Sequence, residues 1–265
     1  MALMIMLMMM DYLPMCWKRS EVLAELAQGN RSLPRLIFMM ILAFAGSANA
    51  QALPVDVLRT QYPALYKLYR DNHGYAPSLA AYATRQGFRQ PYEHLGTVLH
   101  EMIHITSAAH DGFFIDGIYY EPYLHRDAWP HLSNAEIDKY LTQQERTIIT
   151  AIYLPNTPKN NLGNVLDEIN AYSHVAKFIC DNEPLSAEKQ VRNLLGHLQL
   201  QEAYLRVLRT TLPVEYWQLA ARRESRGAMV TLNARAVQAL RACGVGEARI
   251  PVAEVGDLLR LSDKK

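Results

Sequence analysis

The stretch most constraining for the fold runs from Pro91 to His110, PYEHLGTVLHEMIHITSAAH. Leu95, Val98, Leu99, Met102 and Ala109 recur at helical spacing, and Ile103, Ile105 and Ala108 make most of the remaining faces apolar as well. A helix that is apolar nearly all round belongs inside a protein, and polar groups on it need a purpose. Pro91 suits the first helical position, and Asp111-Gly112 supplies an exit. The segment therefore reads as one buried helix carrying His100 and His104 away from its main apolar stripe.

Two histidines four apart lie on one helix face and can point their rings at one ion. Glu101 sits about 100° around the helix, near enough to reach a water at that ion without itself becoming a ligand. This His-Glu-x-x-His pattern, with uncharged flanks Thr97-Val98-Leu99 and Ile105, resembles the zincin metallopeptidases. The resemblance covers about 91–180 and implies a zinc site on a buried active-site helix, with Glu101 as general base. It also implies peptide-bond hydrolysis by a zinc-activated water.

Two residues compete for the third ligand position. His110 has the spacing of the metzincin branch, but Ser107 stands where that pattern has the glycine that turns the chain. If the helix continues, His110 points roughly 120° away from His104. The gluzincin branch takes a glutamate from a later helix, and LDEINAYSHVAKFI offers Glu168. With Leu162, Val165, Leu166, Ile169, Tyr172 and Ala176 as the buried stripe, Glu168 faces inward and Asp167 lies roughly opposite. Glu168 with Ala171 also resembles the Glu-x-x-Ala arrangement of several gluzincins, in which a small residue lets the two helices pack closely. The expected metal ligands are thus His100, His104 and Glu168, with zinc as the cofactor. Tyr172 is the first choice for stabilising an oxyanion, ahead of Tyr119, Tyr120 and His174; His174 and His110 are alternatives as groups that hydrogen-bond the ligands.

The remaining pattern is mainly helical with one β-hairpin, an α+β chain of small β content. Helices are expected over Val55 to Tyr69, Ser78 to Arg85, Ser133 to about Tyr153, Leu162 to Cys180, Ser186 to Arg209 and Val214 to Ala242. Ser133-Asn134-Ala135-Glu136 is a capping box. The loop LPNTPKNN ends the helix that it starts, and the last two helices form a helical hairpin. Phe113 to Tyr120 reads as a hairpin around Asp116-Gly117, and Glu121 to Leu132 as an aromatic loop beside the cleft or packed onto the body.

Residues 1–50 differ in kind. Arg31 and Arg35, an apolar run from Leu36 to Gly46, and Ser47-Ala48-Asn49-Ala50 read as a secretory signal, with the Met-rich start upstream left outside the fold. The run is shorter than the roughly 20 apolar residues needed to span a bilayer, so no stable membrane anchor is expected after cleavage. Residues 51–265 would form the exported domain, periplasmic or secreted. Formal charge is +1, which argues against nucleic acid as a partner. Cys180 and Cys243, the two cysteines beyond the signal, form a candidate disulfide in an exported chain, two buried thiols being the alternative. The expected partner is a peptide or protein substrate. The rival readings are a zinc-stabilised helical binding or scaffold protein without catalysis, and a zinc amidase acting on a non-peptide substrate.

Overall fold

The computed structural model describes residues 53–116, 118–120, 129–143, 145–146 and 159–262. The segment over residues 1–50, expected to carry a secretory signal, and most of the aromatic loop lie outside these. The described chain is mostly helical. Its helices are α1 (Val55–Gln61), α2 (Pro63–Asp71), α3 (Ala76–Arg85), α4 (Pro91–His110), α5 (Asn134–Asp138), α6 (Leu162–Asn182), α7 (Pro184–Thr211), α8 (Pro213–Ala221), α9 (Arg223–Ala242) and α10 (Ala253–Ser262). Four three-residue strands, β1 (Phe113–Ile115), β2 (Ile118–Tyr120), β3 (His131–Ser133) and β4 (Lys159–Asn161), pair as two antiparallel ladders, β1 with β2 and β3 with β4.

The long helix α6 is the axis of the molecule, packed against α4, α7, α9 and β1. One apolar cluster gathers Leu95, Val98, Leu99, Met102 and Ile103 of α4 with Ala171, Val175, Phe178 and Ile179 of α6 and residues of α1 to α3. A larger one joins Val165, Leu166 and Ile169 of α6 to α7, α8, α9, α10 and Trp129. Because α6 touches a neighbour on nearly every side, its buried residues include both Asp167 and Glu168.

Gly96 sets the approach of α4 to α6. A Cβ there would stand 2.4 Å from Cδ1 of Ile179, so a side chain at this position would push the two helices apart. Beyond the last ring contacts of α6, Cys180 is bonded to Cys243 at the end of α9, with a Cα–Cα separation of 5.5 Å. This ties the end of the axial helix to a partner helix across 63 residues of sequence.

Several element boundaries differ from the sequence reading for identifiable reasons. The expected Val55–Tyr69 helix breaks at Tyr62, because the ring of Pro63 disfavours helical geometry in the residue before it. The helix capped by Ser133 ends at Asp138 although both capping-box bonds form, Glu136 N–H to Ser133 Oγ at 3.2 Å and Ser133 N–H to Glu136 Oε2 at 2.7 Å. Its expected extension past residue 146 lies outside the described residues. The end of LPNTPKNN forms β4 instead of open loop, pairing Lys159 with Ser133 and Asn161 with His131. The expected Val214–Ala242 helix divides at Arg222, whose backbone is extended, and α10 follows where no element was expected. Trp129 of the aromatic loop is buried against Phe113, with ring centroids 6.2 Å apart. Among the described residues no helix is long and apolar enough to cross a membrane.

Candidate metal centre

The motif helix α4 stays α-helical through all twenty of its residues and ends on Asp111, in the left-handed region at φ 52°. No turn interrupts it at Ser107. That residue is fully buried, and its hydroxyl accepts the Phe114 N–H at 3.1 Å, joining α4 to the β1–β2 hairpin. The continuing helix carries His110 to an exposed position in the last turn. Among the described residues, the potential ligand atoms of His100, His104 and Glu168 all lie within 4.8 Å of one another, and His110 is not part of that group.

Within the group the Nε2 atoms of His100 and His104 face each other at 3.0 Å. Glu168 brings Oε2 to 3.4 Å from His100 Nε2 and Oε1 to 3.7 Å from His104 Nε2. All three side chains are buried, and Glu168 Oε2 has no hydrogen-bond partner. A buried carboxylate oxygen left without a donor carries a desolvation cost, which a cation between the three groups would relieve.

Asp167, expected to point away from the ligands, is buried, and its Oδ2 accepts the Nδ1–H of His104 at 2.6 Å. The correction follows from the surroundings of α6: on a helix covered on several sides, the face opposite one apolar stripe is another interface. The bond fixes the proton of His104 on Nδ1 and leaves Nε2 as the donor atom toward the cluster, the arrangement by which carboxylates orient histidine ligands.

Electrostatics point the same way. Burial alone would depress His104, yet the carboxylates of Asp167 and Glu168 outweigh it and hold the imidazole well above its ordinary value. Burial alone would raise Glu168, yet His104 and His100 outweigh it and hold its carboxyl well below the usual range. The donor set of two imidazoles and one carboxylate fits a small divalent cation.

The other candidates fall in different places. Glu101 is mostly buried, and together with His100 it forms one end of a cavity of about 190 Å³. Tyr172, one turn after Glu168, also lines it, with its ring centroid 4.5 Å from that of His100. Helix α7 grips this tyrosine: Gln190 Nε2 donates to its carbonyl at 3.1 Å, Asn193 Nδ2 to its hydroxyl at 3.3 Å, and the His197 ring stacks on it at 5.1 Å. His197 is buried, and burial pushes its imidazole down.

His174 faces elsewhere. Its Nδ1 donates to the Asn170 carbonyl at 2.8 Å, its ring lies beside Phe114, and Nε2 is 3.8 Å from Asp116 in the hairpin turn, where Arg235 of α9 pairs with the same aspartate. Tyr119 and Tyr120 stand on β2, paired with Phe114 and Phe113. The sequence reading placed Asp167 on the opposite face and passed over Asn193 and His197. For Asp167 a signal was present: an Asp-Glu pair in a segment with apolar residues on several faces. For Asn193 and His197, far along the chain on α7, no local pattern marks them.

No family model, curated protein or solved structure matches the chain.

Proposed function

We propose that this chain is an exported zinc-dependent peptidase of the gluzincin kind. His100, His104 and Glu168 would hold the ion, which when bound supplies Lewis-acid polarisation of a carbonyl and acidifies a water molecule. The observation carrying the reading is the buried His-His-Glu group with Asp167 behind His104, of which His100 lines a cavity that Glu101 also lines. Three protein ligands leave room for substrate, as catalytic rather than structural zinc sites do.

In this reading the residues divide the work. The Glu101 carboxylate takes the proton of the attacking water and returns it to the departing amine. The Tyr172 hydroxyl, oriented by the Asn193 amide, donates a hydrogen bond to the oxygen on which negative charge develops. Asp167 keeps His104 in the tautomer that presents Nε2, and the packing of α4 on α6 at Gly96 and Ala171 holds the ligand helices together. Export is supported by the signal-like segment ending at Ala50 and by the Cys180–Cys243 bond, of the kind that persists in oxidising compartments.

The test pairs metal analysis with hydrolysis. Elemental analysis should find one zinc per chain in the wild type and in His110→Ala, and its loss in Glu168→Gln. Glu101→Gln should keep the metal and lose cleavage of a mixed peptide library. Zinc retained with no cleavage by the wild type would turn the reading to a zinc-stabilised scaffold or to an amidase with a non-peptide substrate. Zinc lost from His110→Ala but kept by Glu168→Gln would refute the ligand assignment.

A further inference from the structure

The proposed chemistry uses one end of the cavity and leaves the rest of it unexplained. From His100 and Glu101 the cavity runs along α4 to Glu93. Glu101 lies eight positions beyond Glu93, a distance of about 12 Å along a helix axis. Its walls join apolar Tyr82, Phe88, Val175 and Ile179, with Gly96 set between them, to the neutral polar side chains of Gln86, Ser186, Gln190 and Asn193. Tyr82, Val175 and Ile179 are buried, and a side chain on Gly96 would enter the space of Ile179.

The far end carries charge that is already balanced. Lys189 Nζ of α7 pairs with Glu93 Oε1 at 3.3 Å and lies over the Phe88 ring, 4.1 Å from its centroid. An incoming carboxylate or ammonium group would find both of these charges engaged, and the polar groups beside them, Gln86, Ser186 and Gln190, are neutral, so at this end it would give up hydration without gaining a counter-ion. A volume of 190 Å³ exceeds the roughly 150 Å³ that suffices for an apolar cavity to take up benzene.

We propose that this cavity is a side-chain subsite taking an uncharged aromatic residue next to the bond cut, with the Glu93–Lys189 pair as its specificity-determining element. Its place beside the cut bond rests on the peptidase reading; ring binding in the cavity does not. Charge discrimination is the property that separates it from a general apolar groove.

Ligand-observed NMR on the full chain, with benzyl alcohol, benzyltrimethylammonium and benzenesulfonate as probes, tests it directly. The neutral ring should bind at least about tenfold more tightly than either ion. Two filling variants, Val175→Phe from the buried wall and Thr97→Phe from the partly exposed one, should each weaken it about tenfold or more while retaining helical circular dichroism. Glu93→Gln leaves Lys189 without its partner and should narrow the gap for benzenesulfonate alone. Equal binding of the three probes, or neutral binding untouched by both filling variants, overturns the proposal. Cleavage of the peptide library tests the two readings apart. Ring binding without cleavage leaves the cavity assigned and removes the peptidase. Cleavage with no enrichment of aromatic residues beside the cut bond keeps the peptidase and removes the subsite.

Discussion

Replacing Asp167 by Asn isolates the contribution of the brace behind His104. The change preserves side-chain size in a buried position and leaves an oxygen that can accept the Nδ1–H, but it removes the negative charge 2.6 Å from the imidazole. Loss of such an outer partner typically lowers metal affinity by about 10- to 100-fold. If free zinc is buffered at about 100 times the wild-type Kd, binding adds about 2.7 kcal/mol to the stability of the wild type. At the same free zinc the variant gains only about 0.4 to 1.4 kcal/mol. With a melting shift of about 2–4 °C per kcal/mol for a domain of this size, zinc should raise the wild-type Tm by about 5–11 °C and that of the variant by about 1–6 °C. The measurement is a circular dichroism melt with and without buffered zinc, with Glu168→Gln run alongside and expected to show no zinc-dependent shift. Equal zinc-dependent shifts in wild type and Asp167→Asn would refute the argument that the aspartate tunes the site through His104.

Three further outcomes follow from the same structure. Because, against the lowering effect of burial, Asp167 and Glu168 hold His104 well above its ordinary value, zinc binding near neutral pH should be accompanied by proton release from the site; calorimetry in buffers of different ionisation enthalpy reads it, and zero release contradicts the upward shift. His174 is pushed down to about 3, by burial first and then by Arg235, so the unfolded chain takes up a proton below about pH 6.5 that the folded chain refuses, and stability should fall with acidification by about 2 kcal/mol at pH 5 from this group. Urea melts at pH 7 and 5 should show a smaller acid loss for His174→Asn than for the wild type, and an unchanged difference would place the imidazole in a solvated setting. Cys180→Ser should lower stability by roughly 4 kcal/mol, the loop-closure value for a bond spanning 63 residues, and reduction of the wild type should lower it by a similar amount in denaturant titrations; a loss near zero would mean that helix packing alone fixes the two ends.

What could be read from the residues was whatever is written locally. Pro91, Asp111 and the all-round apolar pattern between them define α4 without reference to any other part of the chain, and Asp116-Gly117 lies between the strand ends Ile115 and Ile118, as expected of a tight hairpin. The choice of Glu168 over His110 as the residue brought beside His100 and His104 also came from helix geometry, because an uninterrupted α4 carries His110 off the ligand face. Asp167 was misplaced because a helical wheel assumes one buried face and one wet face, whereas α6 is enclosed by several elements. The apolar stripe over Val55 to Tyr69 ran straight through Pro63, and periodicity prevailed in the reading where backbone sterics prevailed in the fold. At Arg222 neither glycine nor proline announces the break. The β3–β4 pairing joins segments nearly thirty residues apart whose three-residue lengths are too short to show alternation.

Helix α6 bears Asp167, Glu168 and Tyr172, and α4 bears His100, Glu101 and His104. The parts of the proposed site are therefore mounted on two rods, and spacing within each rod is set by the helical rise of about 1.5 Å per residue. Such a device has few adjustable joints: its geometry is altered chiefly by sliding or rolling one rod against the other, and Gly96 sits where they touch. A one-residue insertion between Glu168 and Tyr172 would turn everything beyond it by about 100°, so length changes in this segment are barred in a way that side-chain exchanges are not.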